Sequence, residues 1–318
     1  MLETLALPLV MLVIGIAILL FSSDKTVELS SDFAKDLGIS PFLVGIIVLA
    51  AGTSIPEVAN SLVSSYSGYG DMNVGNAFGS CLSQITLVIG LLVIIGGRNI
   101  TGGRKDIMLL GGCTILAAML ALLTVEKGGI NRLDAVLLLL AYPILLFITQ
   151  KYSVKEYSLK NMPRPDMQSV VQVGLILLGI GGVLVGSWFI VNSIITISEV
   201  LDFPPYFLSF FAIAIGTSLP ELGVGLAAVR TGRFELVVGN ILGSNIADTT
   251  ISMASGPLLF PNVFDAGIAT VGALYMLIAS FIVIGLFAWK KKIDWKMGAL
   301  FILIYLLSFL VLPSFGMH

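Results

Sequence analysis

The sequence predicts an all-α integral membrane protein: ten transmembrane helices arranged as two inverted five-helix repeats, with broken helices at the membrane midplane. Three observations lead there. Hydrophobic residues make up 57% of the chain and charged residues 11%, with a mean hydropathy of +1.03, whereas soluble domains carry about 25% charge. Apolar stretches long enough to cross a hydrocarbon core of about 30 Å recur along the whole chain. A pair of polar motifs occurs twice, at one fixed offset, the one that carries Glu57 onto Glu221.

In chain order the apolar stretches run over residues 4–23, 40–66, 72–96, 107–125 and 133–150, then 169–197, 205–229, 235–260, 266–289 and 297–313. About 20 helical residues cross a bilayer core, and a lone helix satisfies its own backbone in lipid. No stretch alternates as a strand would. The first has no basic residue before it and recurs within the repeat, so it reads as a span and not as a signal or targeting peptide. Residues 1–150 form the first repeat, 151–168 a short basic linker, and 169–318 the second repeat.

Loop charges agree with ten crossings. An even count puts both termini on one side with the loops after spans two, four, six and eight, and only Lys127 and Arg132 fall there. The other 15 of the 17 basic residues fall opposite. Lys25 and Lys35 are among them and fit a helical extension of the first span. Basic loops stay cytoplasmic. The expectation is a multi-pass cell-membrane protein with both termini outside and the 151–168 linker in the cytoplasm.

The repeat is gapless. Gly52-Thr53-Ser54-Ile55-Pro56-Glu57 matches Gly216-Thr217-Ser218-Leu219-Pro220-Glu221, and Gly75-Asn76-Ala77-Phe78-Gly79-Ser80 matches Gly239-Asn240-Ile241-Leu242-Gly243-Ser244, both at the same offset. Gly15 with Gly179, Ser23 with Ser187 and Pro41 with Pro205 keep that offset too. Five spans is an odd number, so the second copy must enter from the opposite face.

Glu57 and Glu221 fall mid-span, and Asp248 follows in span eight, with no Lys or Arg predicted at that depth. A carboxylate at the centre of a membrane costs at least about 2.5–3.5 kcal/mol, so these groups need protons or bound cations. Simple protonation would make them structural. Retention of Thr, Ser, Pro and Glu in both copies favours cations. Pro removes an amide donor and crowds the preceding turn, which is expected to loosen Ala50–Ser54 and Ala214–Ser218. Freed carbonyls, hydroxyls and a carboxylate would then converge, a hard-oxygen set that suits Na+ and Ca2+. In the second motif Gly79 and Gly243 permit close helix approach, and Ser80 and Ser244 offer hydroxyls. Gln84 and Asp248 stand one turn further on the same face. Asn76 and Asn240 either bind an ion or cross-link the broken helices.

Other chemistries find little support. The only histidine is the terminal His318, and Cys81 and Cys113 sit in apolar runs as small hydrophobes. No Ser/His pair lies at membrane depth, so neither an enzyme nor a bound cofactor is expected. The lipid bilayer and transported cations are the expected partners, with no nucleic acid.

At these residues the chain resembles the calcium/cation antiporter superfamily, in its prokaryotic sodium/calcium exchanger branch. The alpha repeats of that superfamily look like GTSIPE…GNAFGSCLSQ in the first half and GTSLPE…GNILGSNIAD in the second. The resemblance extends over all ten spans. It implies that spans one and six slide as a gate over four ion sites set in a diamond at the midplane. It implies that Glu57 and Glu221 are shared carboxylates for Ca2+ and Na+, and that Thr53 and Thr217 are backbone calcium ligands. The carbonyls of Ala50 and Ala214, with Ser54, Ser218, Ser80 and Ser244, would be sodium ligands, and Asp248 the central acidic position. One position departs from the family, Gln84, which stands where Asn is usual in the first repeat; Cys81 also stands where the second repeat has Asn245.

Na+/Ca2+ antiport is the leading expectation. Fully ionised, Glu57, Glu221 and Asp248 carry three negative charges, which three Na+ would balance and one Ca2+ would not. A proton or a K+ at Asp248 would close that gap, so Ca2+/H+ or K+-dependent antiport on the same scaffold is the alternative. A cation channel is more remote, because channels favour filter rings around a pore axis.

Overall fold

The computed structural model describes residues 2–36, 44–96, 100–101, 104–152, 167–198, 205–290 and 292–316. Helices lie on all ten apolar stretches. Among the described residues, five are both long and apolar enough to cross a membrane: Gly70–Gly96, Lys105–Val125, Arg132–Thr149, Ala266–Lys290 and Trp295–Ser314. Ser209–Thr217 and Leu219–Arg230 form a sixth as a pair bent by 44°. The two longest helices, Leu2–Asp36 and Met167–Ser198, lie along each other. The first overshoots the expected span of 4–23 and carries Lys25 on its extension. The extension is amphipathic. Thr26, Val27 and Ser30 are buried, and Lys25 pairs with Glu28 at 2.8 Å on the exposed side. Residues 153–166 of the linker, Pro41 and His318 lie outside the described residues.

Among the described residues, four two-residue strands, absent from the sequence reading, tie the loops. Strand β1 (Ile100–Thr101) pairs antiparallel with β4 (Lys292–Ile293), and β2 (Gly129–Ile130) with β3 (Asn262–Val263). Two residues are too few to leave an alternation. Each pair joins loops that the charge reading puts on one side. Other contacts sort the same way: Arg233 donates to the Val27 carbonyl at 3.0 Å, and the Asp265 amide donates to Asp71 at 3.0 Å.

Two apolar clusters form the core. One gathers Val27, Leu49, Ile85, Leu92, Val224 and Ile241, near β1 and β4. The other gathers Val74, Phe78, Leu82, Phe210, Met253 and Phe264, toward β2 and β3. Along spans three and eight the chain crosses between clusters at Ser83-Gln84 and at Asp248–Ser252. A buried polar layer therefore separates two apolar ones.

The halves meet through contacts that interchange when each partner is replaced by its counterpart in the other repeat. Thr53 Oγ1 lies 3.4 Å from Ser244 Oγ, and Thr217 Oγ1 lies 3.1 Å from Ser80 Oγ. Gln84 meets Asp248, and Cys81 meets Asn245, each its own counterpart, as residues beside a two-fold pseudo-axis must. Glycine permits the closest approach. A Cβ on Gly79 would stand 2.8 Å from Ala214 Cβ, and one on Gly243 would stand 2.9 Å from Ala50 Cβ.

Gly79→Val and Gly243→Val should therefore each destabilise the fold by about 1–3 kcal/mol through overpacking. A Cβ on Gly285 would meet nothing within 4 Å, so Gly285→Ala should be neutral or stabilising. Thermal unfolding in detergent checks all three.

Candidate cation site

The site begins with two interrupted helices. Ala50–Thr53 ends and Ile55–Tyr66 begins at Ser54, with φ −81° and ψ 5°. Ala214–Thr217 and Leu219–Arg230 hinge likewise at Ser218, with φ −84° and ψ 0°. Pro56 and Pro220 sit in the first turn of each new helix, where a missing N–H costs least. They leave the Gly52 and Gly216 carbonyls without the usual donor.

The interruption is narrower than the sequence suggests. The Ser54 N–H still bonds the Ala50 carbonyl at 3.1 Å, and the Ser218 N–H bonds that of Ala214 at 3.1 Å. The ladder resumes with Val58 N–H to the Ser54 carbonyl at 3.2 Å and Leu222 N–H to that of Ser218 at 3.1 Å. Ala50 and Ala214 thus keep their helical partner, and their carbonyls also lie 3.5 Å from Thr53 Oγ1 and 3.4 Å from Thr217 Oγ1. The loosening continues elsewhere, in π-helical turns at Gly45–Leu49, Ser83–Val88, Leu208–Ile213 and Asp248–Ser252. Such turns gather at functional sites. The sequence did not disclose them. Their one legible trace is hydroxyl content, since Thr86 donates to the Leu82 carbonyl and Thr250 to that of Ile246.

Ser54 and Glu57 have the spacing of a capping box, yet neither side chain caps the helix. Ser54 Oγ and both Glu57 carboxylate oxygens are buried without a hydrogen-bond partner. Ser54 lies near Asp248 and Glu57 near Thr217, but neither contact reaches hydrogen-bond geometry. The same spacing recurs at Ser218 and Glu221, again without a side-chain cap. Glu221 Oε1 accepts from Ser244 Oγ at 3.1 Å, and its Oε2 has no partner. Both glutamates occupy the first turn of their helices, where the macrodipole favours negative charge.

Span eight adds Asp248. Its Oδ2 accepts from Gln84 Nε2 at 2.9 Å, and its Oδ1 lies 3.4 Å from Ser252 Oγ. The Gln84 Oε1 is left buried and unpartnered. Glu57, Glu221 and Asp248 are 1%, 0% and 0% exposed. Among the described residues no Lys or Arg pairs with them. Nor do any three Asp, Glu, His or Cys side chains there group tightly enough to hold one metal ion. An ion between the glutamates would need neutral oxygens to complete its shell.

Every predicted site residue thus lies in this polar layer, on the broken helices and the two spans facing them. Asn240 Oδ1 lies 3.5 Å from Thr53 Oγ1, and Asn76 Oδ1 lies 3.4 Å from Thr217 Oγ1, so each reaches the broken helix of the other half. Sequence reasoning missed Ser83, whose Oγ lies 2.8 Å from Ser218 Oγ, and Ser252. Their only signal was a hydroxyl within a turn of Ser80 or Asp248.

The family profile described as sodium/calcium exchanger protein matches residues 7–150 and again residues 171–312, two segments whose starts are separated by the offset of the internal repeat. The chain belongs to the sodium/calcium exchanger family. This exchanger-family chain is 33% identical over 299 residues to the uncharacterized membrane protein MJ0091 of Methanocaldococcus jannaschii, covering 93% of this chain and 94% of that one. It is 25% identical over 288 residues to the sodium/calcium exchanger MaX1 of Methanosarcina acetivorans, covering 79% and 82%. A solved structure of the sodium-calcium exchanger NCX_Mj, soaked with Na+ and Sr2+, superposes with a TM-score of 0.78 at 32% identity, covering 96% of this chain and 99% of that chain. The exchanger is accordingly a multi-pass membrane protein of the prokaryotic branch of the calcium/cation antiporters.

The contact between Gln84 and Asp248 predicts a local stability effect. Gln84→Leu should destabilise the exchanger by about 1–3 kcal/mol, because Asp248 Oδ2 loses its buried donor. Combined with Asp248→Leu the loss should be less than additive, as a double-mutant cycle of melting curves would reveal.

Proposed function

We propose that this chain exchanges Na+ for Ca2+ by alternating access at a midplane site built on Glu57 and Glu221. One observation carries the reading: two buried glutamates from symmetry-related helix breaks present three unpartnered carboxylate oxygens and meet no basic side chain among the described residues. An isolated charge in that setting is costly, and a hard cation answers it. Ca2+ would take both glutamates, with backbone oxygen from Thr53 and Thr217. Na+ would take Ser54, Ser80, Ser218 and Ser244 with the Ala50 and Ala214 carbonyls, and Asp248 and Gln84 would form the central position.

In this reading ten spans form two inverted five-span repeats, with the termini outside. The strand pairs support it, since each joins loops of the same predicted side. The long helices Leu2–Asp36 and Met167–Ser198 would slide as the gate. Ile180 lies over the break at Gly52, where an added Cβ would stand 2.7 Å from its side chain, so sliding would uncover the site. A second reading, proton- or K+-coupled Ca2+ antiport, is favoured by Asp248, whose third carboxylate leaves one negative charge beside a single Ca2+.

Purified protein in liposomes, with the potential clamped, should take up Ca2+ under a Na+ gradient and move net charge. Uptake that ignores Na+ and follows a pH gradient would replace the sodium reading with the proton one. Glu57→Gln and Glu221→Gln should each cut Ca2+ flux by about 100-fold or more, since a divalent ion loses half its countercharge. Both variants should still insert and melt cooperatively. Asp248→Asn should weaken the dependence on Na+ or H+ more than that on Ca2+.

A further inference from the structure

The two halves are not equivalent at their hinge serines. Ser218 Oγ has a partner, Ser83 Oγ, at 2.8 Å. Ser54 Oγ, its counterpart in the first repeat, has none. The cause is one residue. The counterpart of Ser83 in the second repeat is Ala247, which has no hydroxyl.

Proton counting gives the Ser83–Ser218 pair a direction. Ser83 Oγ also lies 3.0 Å from the Ser80 carbonyl, which can only accept. A hydroxyl has one proton. Both contacts are hydrogen bonds in only one arrangement: Ser83 donates to the Ser80 carbonyl, and Ser218 donates to Ser83. The Ser218 proton is then held on Ser83, and both Ser218 lone pairs are free for another partner. Ser83 and Ser218 are each 1% exposed, so water does not compete for these positions. Ser54 lies near Asp248 but has no hydrogen bond to orient it.

We propose that Ser83 is a positioning residue that sets Ser218 as a pre-oriented acceptor for a monovalent cation, so that the hinge in the second repeat binds Na+ more tightly than its twin at Ser54. The inference rests on the exchange reading above. Pre-orientation matters because a free hydroxyl must turn its proton away before it can ligate a cation, whereas Ser218 has already done so. Ca2+ is held chiefly by the two carboxylates, so its binding depends far less on this hydroxyl.

The test uses the full chain in liposomes, with initial rates of 45Ca2+ exchange measured against Na+ and, separately, against Ca2+. Ser83→Ala should raise the Na+ concentration for half-maximal rate about three- to tenfold, the worth of one hydrogen bond. The half-saturating Ca2+ should stay within about twofold. A general packing defect would move both. Ser83→Thr keeps the hydroxyl and should restore the wild-type Na+ dependence. Ala247→Ser supplies the missing hydroxyl beside Ser54 and should lower the half-saturating Na+. Ser83→Ala that leaves the Na+ dependence unchanged, or shifts Na+ and Ca2+ alike, overturns the proposal, and Ala247→Ser without a fall counts against it. A wild-type protein indifferent to Na+ would instead overturn the exchange reading, and this inference with it.

Discussion

Burial of carboxylates that meet no basic partner among the described residues is the constraint on which the rest of this structure depends. Glu57, Glu221 and Asp248 lie between two apolar clusters, in a layer where water cannot solvate them. Removing a charge from water costs several kcal/mol unless something compensates. The fold compensates Asp248 with the Gln84 amide and Glu221 with the Ser244 hydroxyl, and leaves both Glu57 oxygens without a hydrogen bond. In the proposed reading a bound cation completes this interior.

Symmetry makes that layer possible in one chain. Each half contributes one broken helix and one facing span to it. The two-fold relation sets the broken helix of each half against the facing span of the other, so Thr53 meets Ser244 and Thr217 meets Ser80. Residues beside the pseudo-axis meet their own counterparts, and at those places the sequence abandons symmetry. Gln84 faces Asp248, and Cys81 faces Asn245. Two aspartates on the axis would repel at contact distance, whereas one aspartate and one amide form a hydrogen bond.

The backbone irregularities follow from the same need. A regular helix consumes nearly all its carbonyls and has none to offer an ion. Proline at the first turn of each new helix leaves the Gly52 and Gly216 carbonyls without their usual donor, which returns acceptors to the polar layer. Such backbone is tolerable at membrane depth only where it lines a polar site. The rest of the molecule is ordinary by comparison: Arg104–Val125 and Ala266–Lys290 carry apolar side chains around the fold.

The sequence by itself determined the helical class, the placement of the apolar stretches, the fixed offset of the repeat and the candidate site residues. These features are local or periodic. Span length follows from membrane thickness, and a duplicated intramembrane glutamate is too costly to be incidental. Only the tertiary structure decided where the helices yield. Proline suggested loosening from Ala50 to Ser54, but the Ala50 carbonyl keeps its helical donor, and π-turns form just before it at Gly45–Leu49 and in the next span at Ser83–Val88. A π-turn depends on packing against other spans, which no local pattern records. The partners of Ser83 and the orphaned oxygens of Glu57 were equally hidden, because a hydroxyl or carboxylate is satisfied or stranded by groups far away along the chain. Residue types state which chemistry is available. Three-dimensional proximity states which lone pairs are left for an ion.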